Sequence, residues 1–200
     1  MDMKYSSEKF IELQNISFSY GEKMILDAFS LSLPVGEKTA LFAPSGWGKT
    51  TLLYLIAGLR KPDCGEISYP FATPAFSMVF QENRLLESAG IKRNLTLVQN
   101  QLSSEQLVSQ LAAVGLNYPL KEKAGRLSGG EQRRLSILRA LCAKYDILLM
   151  DEPFTGLDEE TKQKVIGYVM RQTEGKTVIL VTHDIAEAQS LGCNIVTLAP

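Results

Sequence analysis

The run Ala43-Pro44-Ser45-Gly46-Trp47-Gly48-Lys49-Thr50-Thr51 decides how this chain is read. Before it stands a short apolar stretch, Thr39-Ala40-Leu41-Phe42, which reads as a strand. After it, residues 49–59 place Leu52, Leu53, Leu55, Ile56 and Leu59 on one helical face. Gly58 and Pro62 mark the end of that helix. A tight turn between a strand and a helix points successive backbone N–H groups at one centre, and the helix N-terminus adds partial positive charge. Such a turn is a cradle for phosphate oxygens. Ser45, Gly46, Trp47, Gly48, Lys49, Thr50 and Thr51 are its candidate contacts. The two glycines tolerate the dihedrals that the turn needs. Lys49 can reach the β- and γ-phosphates of a nucleotide, and Thr50 can offer a hydroxyl to Mg²⁺. Alanine replaces the motif's first glycine at position 43, so that residue is expected at the strand end with negative φ.

A second apolar run ends in acid: Ile147-Leu148-Leu149-Met150-Asp151-Glu152-Pro153. It reads as a buried strand that delivers two carboxylates to its C-terminal edge, where ligands bind in parallel sheets. Asp151 is the candidate to hold Mg²⁺ through its water shell. Glu152 is the candidate to orient and deprotonate an attacking water, help commonly worth roughly 10²–10⁴ in rate.

The rest of the chain supplies the frame. Residues 10–20 and 29–33 read as antiparallel strands joined through the turn Gly21-Glu22-Lys23, and 76–80 and Thr177–Val181 as further apolar strands. Helical patterns occupy 102–116, 127 to about 144, and Glu159–Gln172, with Ser103 or Ser104 capping the first. No strand is evident between Gln81 and Lys144. Apolar strands alternating with helices predict an α/β fold whose parallel sheet is covered on both faces.

Composition narrows the classes. Two hundred residues make one domain, or one with an inserted subdomain. With 45% apolar and 22% charged residues the chain is ordinary globular material. Lys plus Arg is 21 and Asp plus Glu is 22, a net charge of −1 that disfavours a nucleic-acid partner. No apolar run reaches membrane-spanning length, and residues 1–10 do not form a secretory signal. Cys64, Cys142 and Cys193 lack disulfide or zinc spacing and are expected to be reduced thiols.

The helix from 127 opens with Leu127-Ser128-Gly129-Gly130-Glu131-Gln132-Arg133-Arg134. Ser128 and Glu131 fit a capping box. Capping does not need the two glycines, each of which loses up to ~1 kcal/mol against alanine in a helix. Close approach of backbone to an anion does need them. Together with the phosphate cradle and the acidic strand end, this element resembles the signature motif of ABC transporter ATP-binding subunits, and the likeness covers most of the chain. No Asn-Lys-x-Asp string of the GTPase kind occurs.

That resemblance implies a P-loop NTPase (RecA-like) core with an N-terminal antiparallel β-subdomain and an inserted α-helical subdomain. Residues 1–81 and 145–200 then form the core with its β-subdomain, and 82–144 the helical part that carries the signature. It implies ATP and Mg²⁺ as cofactors, adenine stacking on Tyr20, a Q-loop glutamine at Gln81 that touches Mg²⁺ or water, and a switch histidine at His183 that contacts the γ-phosphate. Thr155-Gly156-Leu157-Asp158 resembles the D-loop, with Asp158 near the nucleotide; the first two residues depart from the usual Ser-Ala. The resemblance also implies a head-to-tail homodimer around two ATP molecules. Lys49, Thr50, Asp151, Glu152, Gln81 and His183 of one copy would then face Ser128, Gly129 and Gly130 of the other. Family members drive separate permease subunits from the cytoplasmic face of the membrane, and importers also use a solute-binding protein. Residues 79–86 and 183–198 resemble the nitrate, sulfonate and taurine importer branch, although Glu87-Ser88 replaces that branch's proline-tryptophan pair. An exporter or lipoprotein-release ATPase, or a soluble ABC protein, shares the other motifs. With the sequence ending at Pro200, the regulatory domain of some relatives is not expected.

Overall fold

The computed structural model describes residues 9–98 and 101–198. Its centre is a five-stranded parallel sheet of β3 (Lys38–Phe42), β5 (Phe76–Val79), β6 (Ile147–Asp151), β7 (Thr177–Val181) and β8 (Asn194–Thr197), in the order β5-β6-β7-β3-β8. β7 therefore stands between the strand that precedes the phosphate loop and the strand that ends in acid. Because all five run the same way, their C-terminal ends share one edge.

Neighbouring side chains of each strand go to opposite faces. Ile147, Leu149, Ile179 and Val181 enter one core; Leu148, Met150, Val178 and Leu180 enter the other. The first core is closed by α1 (Lys49–Ile56) and by an antiparallel sheet, β2-β1-β4, of β1 (Phe10–Tyr20), β2 (Lys23–Pro34) and β4 (Cys64–Ser68). The second is closed by α3 (Ser104–Ala113), α4 (Gly129–Cys142) and α5 (Glu159–Gln172). Between β5 and β6 the chain is helical: α2 (Ile91–Thr96), α3, one 3₁₀ turn at Ala124–Arg126, and α4. A single antiparallel bridge, Gly90 with Lys123, is the only extended pairing there among the described residues. α6 (Ile185–Ser190) follows β7.

The sheet covered on both faces agrees with the sequence reading, and several boundaries do not. α1 stops at Ile56, three residues short, because Ala57 ends it and Gly58 turns left-handed at φ 68°. α3 and α4 are also shorter than their patterns. α2 and α6 went unread, since six residues carry too little periodicity. β4 and β8 are largely exposed and lack an apolar alternation. Ser103 caps α3 in a full capping box with Gln106.

Candidate functional site

The loop after β3 bends where glycine allows it. Gly46 has φ 81° and Gly48 φ 106°. A Cβ on Gly48 would also fall 2.5 Å from Cγ2 of Ile25, so position 48 excludes a side chain twice over. Ala43, just past the end of β3, is not among the residues of positive φ, as expected for alanine at a strand end. The loop and the C-terminal edge of the sheet enclose a cleft of about 340 Å³. Ser45, Gly46, Gly48, Lys49, Thr50 and Thr51 line it, together with Gln81, Asp151 and Glu152. Ile25 and Val181 add an apolar wall, and Ile25 reaches the cleft from the antiparallel sheet.

Lys49 extends back along the loop, its Nζ donating to Ala43 O at 2.7 Å and Pro44 O at 3.1 Å. Thr50 Oγ1 donates to Asp151 Oδ2 at 2.7 Å, joining the helix start to a strand end 101 residues away. Burial pushes the Asp151 carboxyl above its ordinary value; the Thr50 hydrogen bond and the charges of Arg133 and Lys49 pull the other way. Glu152 has φ 46°, a left-handed conformation unusual outside glycine. Its N–H donates to Val181 O at 2.8 Å, which ties the turn after β6 to the end of β7. The Glu152 Oε2 atom then lies 2.8 Å from His183 Nδ1. With Glu152 ionised, Nδ1 must carry the proton.

Behind His183, the buried Thr182 hydroxyl donates to Glu187 Oε2 at 2.6 Å. Lys162 Nζ lies 3.5 Å from Asp184 Oδ2 and 3.7 Å from Glu187 Oε1. This brace under the histidine loop escaped the sequence reading, because Lys162 comes from α5, Glu187 from α6, and Thr182 and Asp184 from the loop between β7 and α6.

Other candidates lie off the cleft. Tyr20, at the end of β1, is 44% exposed, with the Phe18 ring edge-on at 4.9 Å and the Arg60 guanidinium 5.8 Å from its centroid. Trp47 meets Phe29 edge to face at 5.2 Å, and its backbone N–H donates to Pro44 O. Asp158 caps α5 by accepting from Thr161 N at 2.9 Å, a bond that holds its carboxyl below the ordinary value. Ser128 caps α4 while Glu131 accepts from Ser128 N at 2.9 Å and from the Tyr118 hydroxyl at 2.8 Å. Ser128, Gly129 and Gly130 do not line the cleft. A Cβ on Gly129 would meet nothing within 4 Å, and one on Gly130 would make only ordinary contact with Gly156 and Leu157. Packing inside the chain therefore does not explain these two glycines. Arg133, buried behind the cleft, is the functional candidate that the sequence reading missed; the charged run hid it.

Comparison with known proteins agrees with this geometry. The ABC transporter family model matches residues 26–155. An aliphatic sulfonates import ATP-binding protein of Pseudomonas fluorescens is 38% identical over 94% of this chain and 73% of its own length. A thiamine import ATP-binding protein of Mesorhizobium japonicum is 34% identical over 94% of this chain and 80% of its own length. Among solved structures, the dimeric post-hydrolysis state of the ATP-binding cassette MJ0796, bound to ADP and Pi, superposes with a TM-score of 0.80 at 29% identity, covering 94% of each chain. A bacterial Atm1-family ABC exporter with ATP bound gives 0.86 at 23% identity, over 96% of this chain and 38% of that one, a likeness of fold. The chain belongs to the ABC transporter family, as one of its ATP-binding, ATP-hydrolysing subunits.

Proposed function

We propose that two copies of this chain pair head to tail around two ATP molecules and drive a membrane permease that imports a small solute. One observation carries the pairing. The cleft has a phosphate loop, two carboxylates and a glutamine, while Ser128, Gly129 and Gly130 face elsewhere and have no packing reason for their glycines. A helix N-terminus with bare backbone suits the phosphates of a nucleotide held by a second copy. The structural relative, dimeric with ADP and Pi bound, supports pairing as such.

In this reading Lys49 leaves its loop carbonyls for the β- and γ-phosphate oxygens, where charge attraction is stronger. Tyr20 offers a ring face to adenine. Asp158 lies beside the joint between copies, at the start of α5. Glu152 accepts the proton of the attacking water, and His183 orients that carboxylate from its far side. Thr50, Asp151 and Gln81 supply hydroxyl, carboxylate and amide oxygens, the hard donors that suit Mg²⁺. The Thr50 hydroxyl already donates its hydrogen to Asp151, so its oxygen lone pairs stay open to a cation. No cluster of three or more His, Cys, Asp or Glu able to hold a metal exists among the described residues, so these donors would share the ion with phosphates. Mg²⁺, when bound, offsets phosphate charge.

The permease would dock beside the helical part, residues 82–144. A groove there of about 290 Å³ is lined by Ala57, Leu59, Phe76, Met78, Phe80 and Val98, next to Gln81. No helix among the described residues is long and apolar enough to cross a membrane, which suits a peripheral subunit at the cytoplasmic face. The relatives named for sulfonate import, and the local likeness at residues 79–86 and 183–198, favour a small anionic or sulfonate-like solute delivered by a solute-binding protein. The thiamine importers among the relatives make thiamine the second reading.

The test is the Glu152→Gln variant with ATP and Mg²⁺. It should bind ATP, form a dimer by light scattering, and separate when ATP is removed. A variant that binds ATP yet stays monomeric, both free and beside its permease, overturns the pairing. Uptake of labelled sulfonate against labelled thiamine in cells with and without the gene decides between the solutes.

A further inference from the structure

We propose that Arg133 is a positioning residue that couples the signature helix to the catalytic carboxylate. A guanidinium has five N–H donors, and here all five end on backbone carbonyls. Nε donates to Pro153 O at 2.7 Å, Nη1 to Phe80 O and to Gln81 O at 3.2 Å, and Nη2 to Asp151 O at 2.9 Å and to Glu152 O. The residue is 4% exposed, and no carboxylate among the described residues pairs with it as a salt bridge.

Stability is a poor reason for this design, because burying an unpaired cation costs more than burying an apolar side chain of equal length. Burial accordingly holds the guanidinium below its ordinary pKa, against the pull of Asp151 and Glu152. What the arrangement gains is position. Five carbonyl dipoles from two separate segments, 80–81 and 151–153, converge on one cation. Three of them belong to Gln81 and to both acidic residues, Asp151 and Glu152. Glu152 is held on both sides: its N–H by Val181 O, its carbonyl by Arg133. Those two ties maintain its left-handed φ of 46° and so the aim of its carboxylate at His183.

Arg133 projects from α4 just inside the turn that begins at Ser128. Farther along the same helix, Arg139 donates to Arg84 O at 2.8 Å and Asn83 O at 3.2 Å, so α4 grips residues 80–84 at both ends. A shift of the signature helix against a partner's nucleotide is thereby passed to Gln81 and Glu152 as a rigid displacement. The coupling rests on the reading of Glu152 as the base that activates water.

Arg133 does not line the cleft, so its loss should act on turnover and spare binding. The test measures kcat, KM and ATP affinity of the purified chain as Arg133→Met, Arg133→Lys and Glu152→Gln. Arg133→Met keeps an unbranched stem, shorter than that of arginine, and has no donors. Its kcat should fall roughly 10–100-fold, with KM and ATP affinity within about threefold of wild type. Arg133→Lys keeps the charge and loses the planar fork, so its kcat should fall between the two; it also serves if the Met variant does not fold. Wild-type kcat in Arg133→Lys, or equal losses of kcat and ATP affinity in either variant, overturns the coupling. A dead Glu152→Gln beside a fully active Arg133→Met overturns the coupling and leaves the base in place. An active Glu152→Gln removes the base and the coupling together.

Discussion

His183 Nδ1 and Glu152 Oε2 lie 2.8 Å apart although 31 residues separate them in the chain. The contact exists because β6 and β7 are neighbours and end on the same edge of the sheet. It sets the sole histidine of the chain against that carboxylate. The expected outcome is that Glu152→Gln and His183→Ala each lower ATP hydrolysis by about 10²-fold or more. Residues that act as a unit do not add, so the double variant should be little worse than either. Steady-state rates of the three variants check this, and additive losses would separate the two roles.

Lys49 Nζ donates to two loop carbonyls, Ala43 O and Pro44 O. Lys49→Ala should weaken ATP binding by at least about tenfold, the loss of one charged contact. Titration calorimetry reads it directly, and an unchanged affinity would remove Lys49 from the phosphates.

The glycines at 48 and 129 should behave oppositely. Gly48→Ala meets both a φ of 106° and Ile25 at 2.5 Å, so the melting temperature should fall and ATP binding should be lost. Gly129→Ala has open space and a helical site, so stability should hold or rise by up to ~1 kcal/mol. Its ATP-driven pairing and hydrolysis should nevertheless fall. Full hydrolysis in Gly129→Ala would argue against a partner's nucleotide at that backbone.

Asp151 gives a pH signature. Its carboxyl is raised above 3.8 by burial, so the folded state binds the proton more tightly than the unfolded chain. That contribution to stability is complete below the ordinary value and is lost as pH rises through the folded one. Asp151→Asn cannot ionise. Without nucleotide it should melt higher than wild type at neutral pH, and the gap should close in acid. Melting curves across pH check this; a constant gap would place the effect elsewhere.

The thiols should differ in reactivity. Cys64 is exposed, whereas burial pushes Cys142 and Cys193 up to about 11. Thiolate is the reactive form. A maleimide at neutral pH should label Cys64 in the native protein, and all three only after denaturation, as mass spectrometry would count.

The phosphate loop, the acidic strand end and the capped glycine pair were legible from residue order because each works over a few consecutive residues. Backbone N–H groups and turn dihedrals are set locally, so Ser45 to Thr51 read as a cradle without any partner in view. The two-faced sheet was legible for a similar reason: unbroken apolar runs such as Thr177–Val181 fit a strand buried on both sides.

Strand order was not legible, and it governs the chemistry. Placing β7 between β3 and β6 sets His183 beside Glu152, and the fold brings Thr50 onto Asp151 across 101 residues. No local pattern records those distances. Arg133 is the sharpest case. In a run of charged residues it reads as a solvated side chain, the usual fate of arginine. Only folding brings the carbonyls of Phe80, Gln81, Asp151, Glu152 and Pro153 around one point, and a cation is needed at that point once they converge.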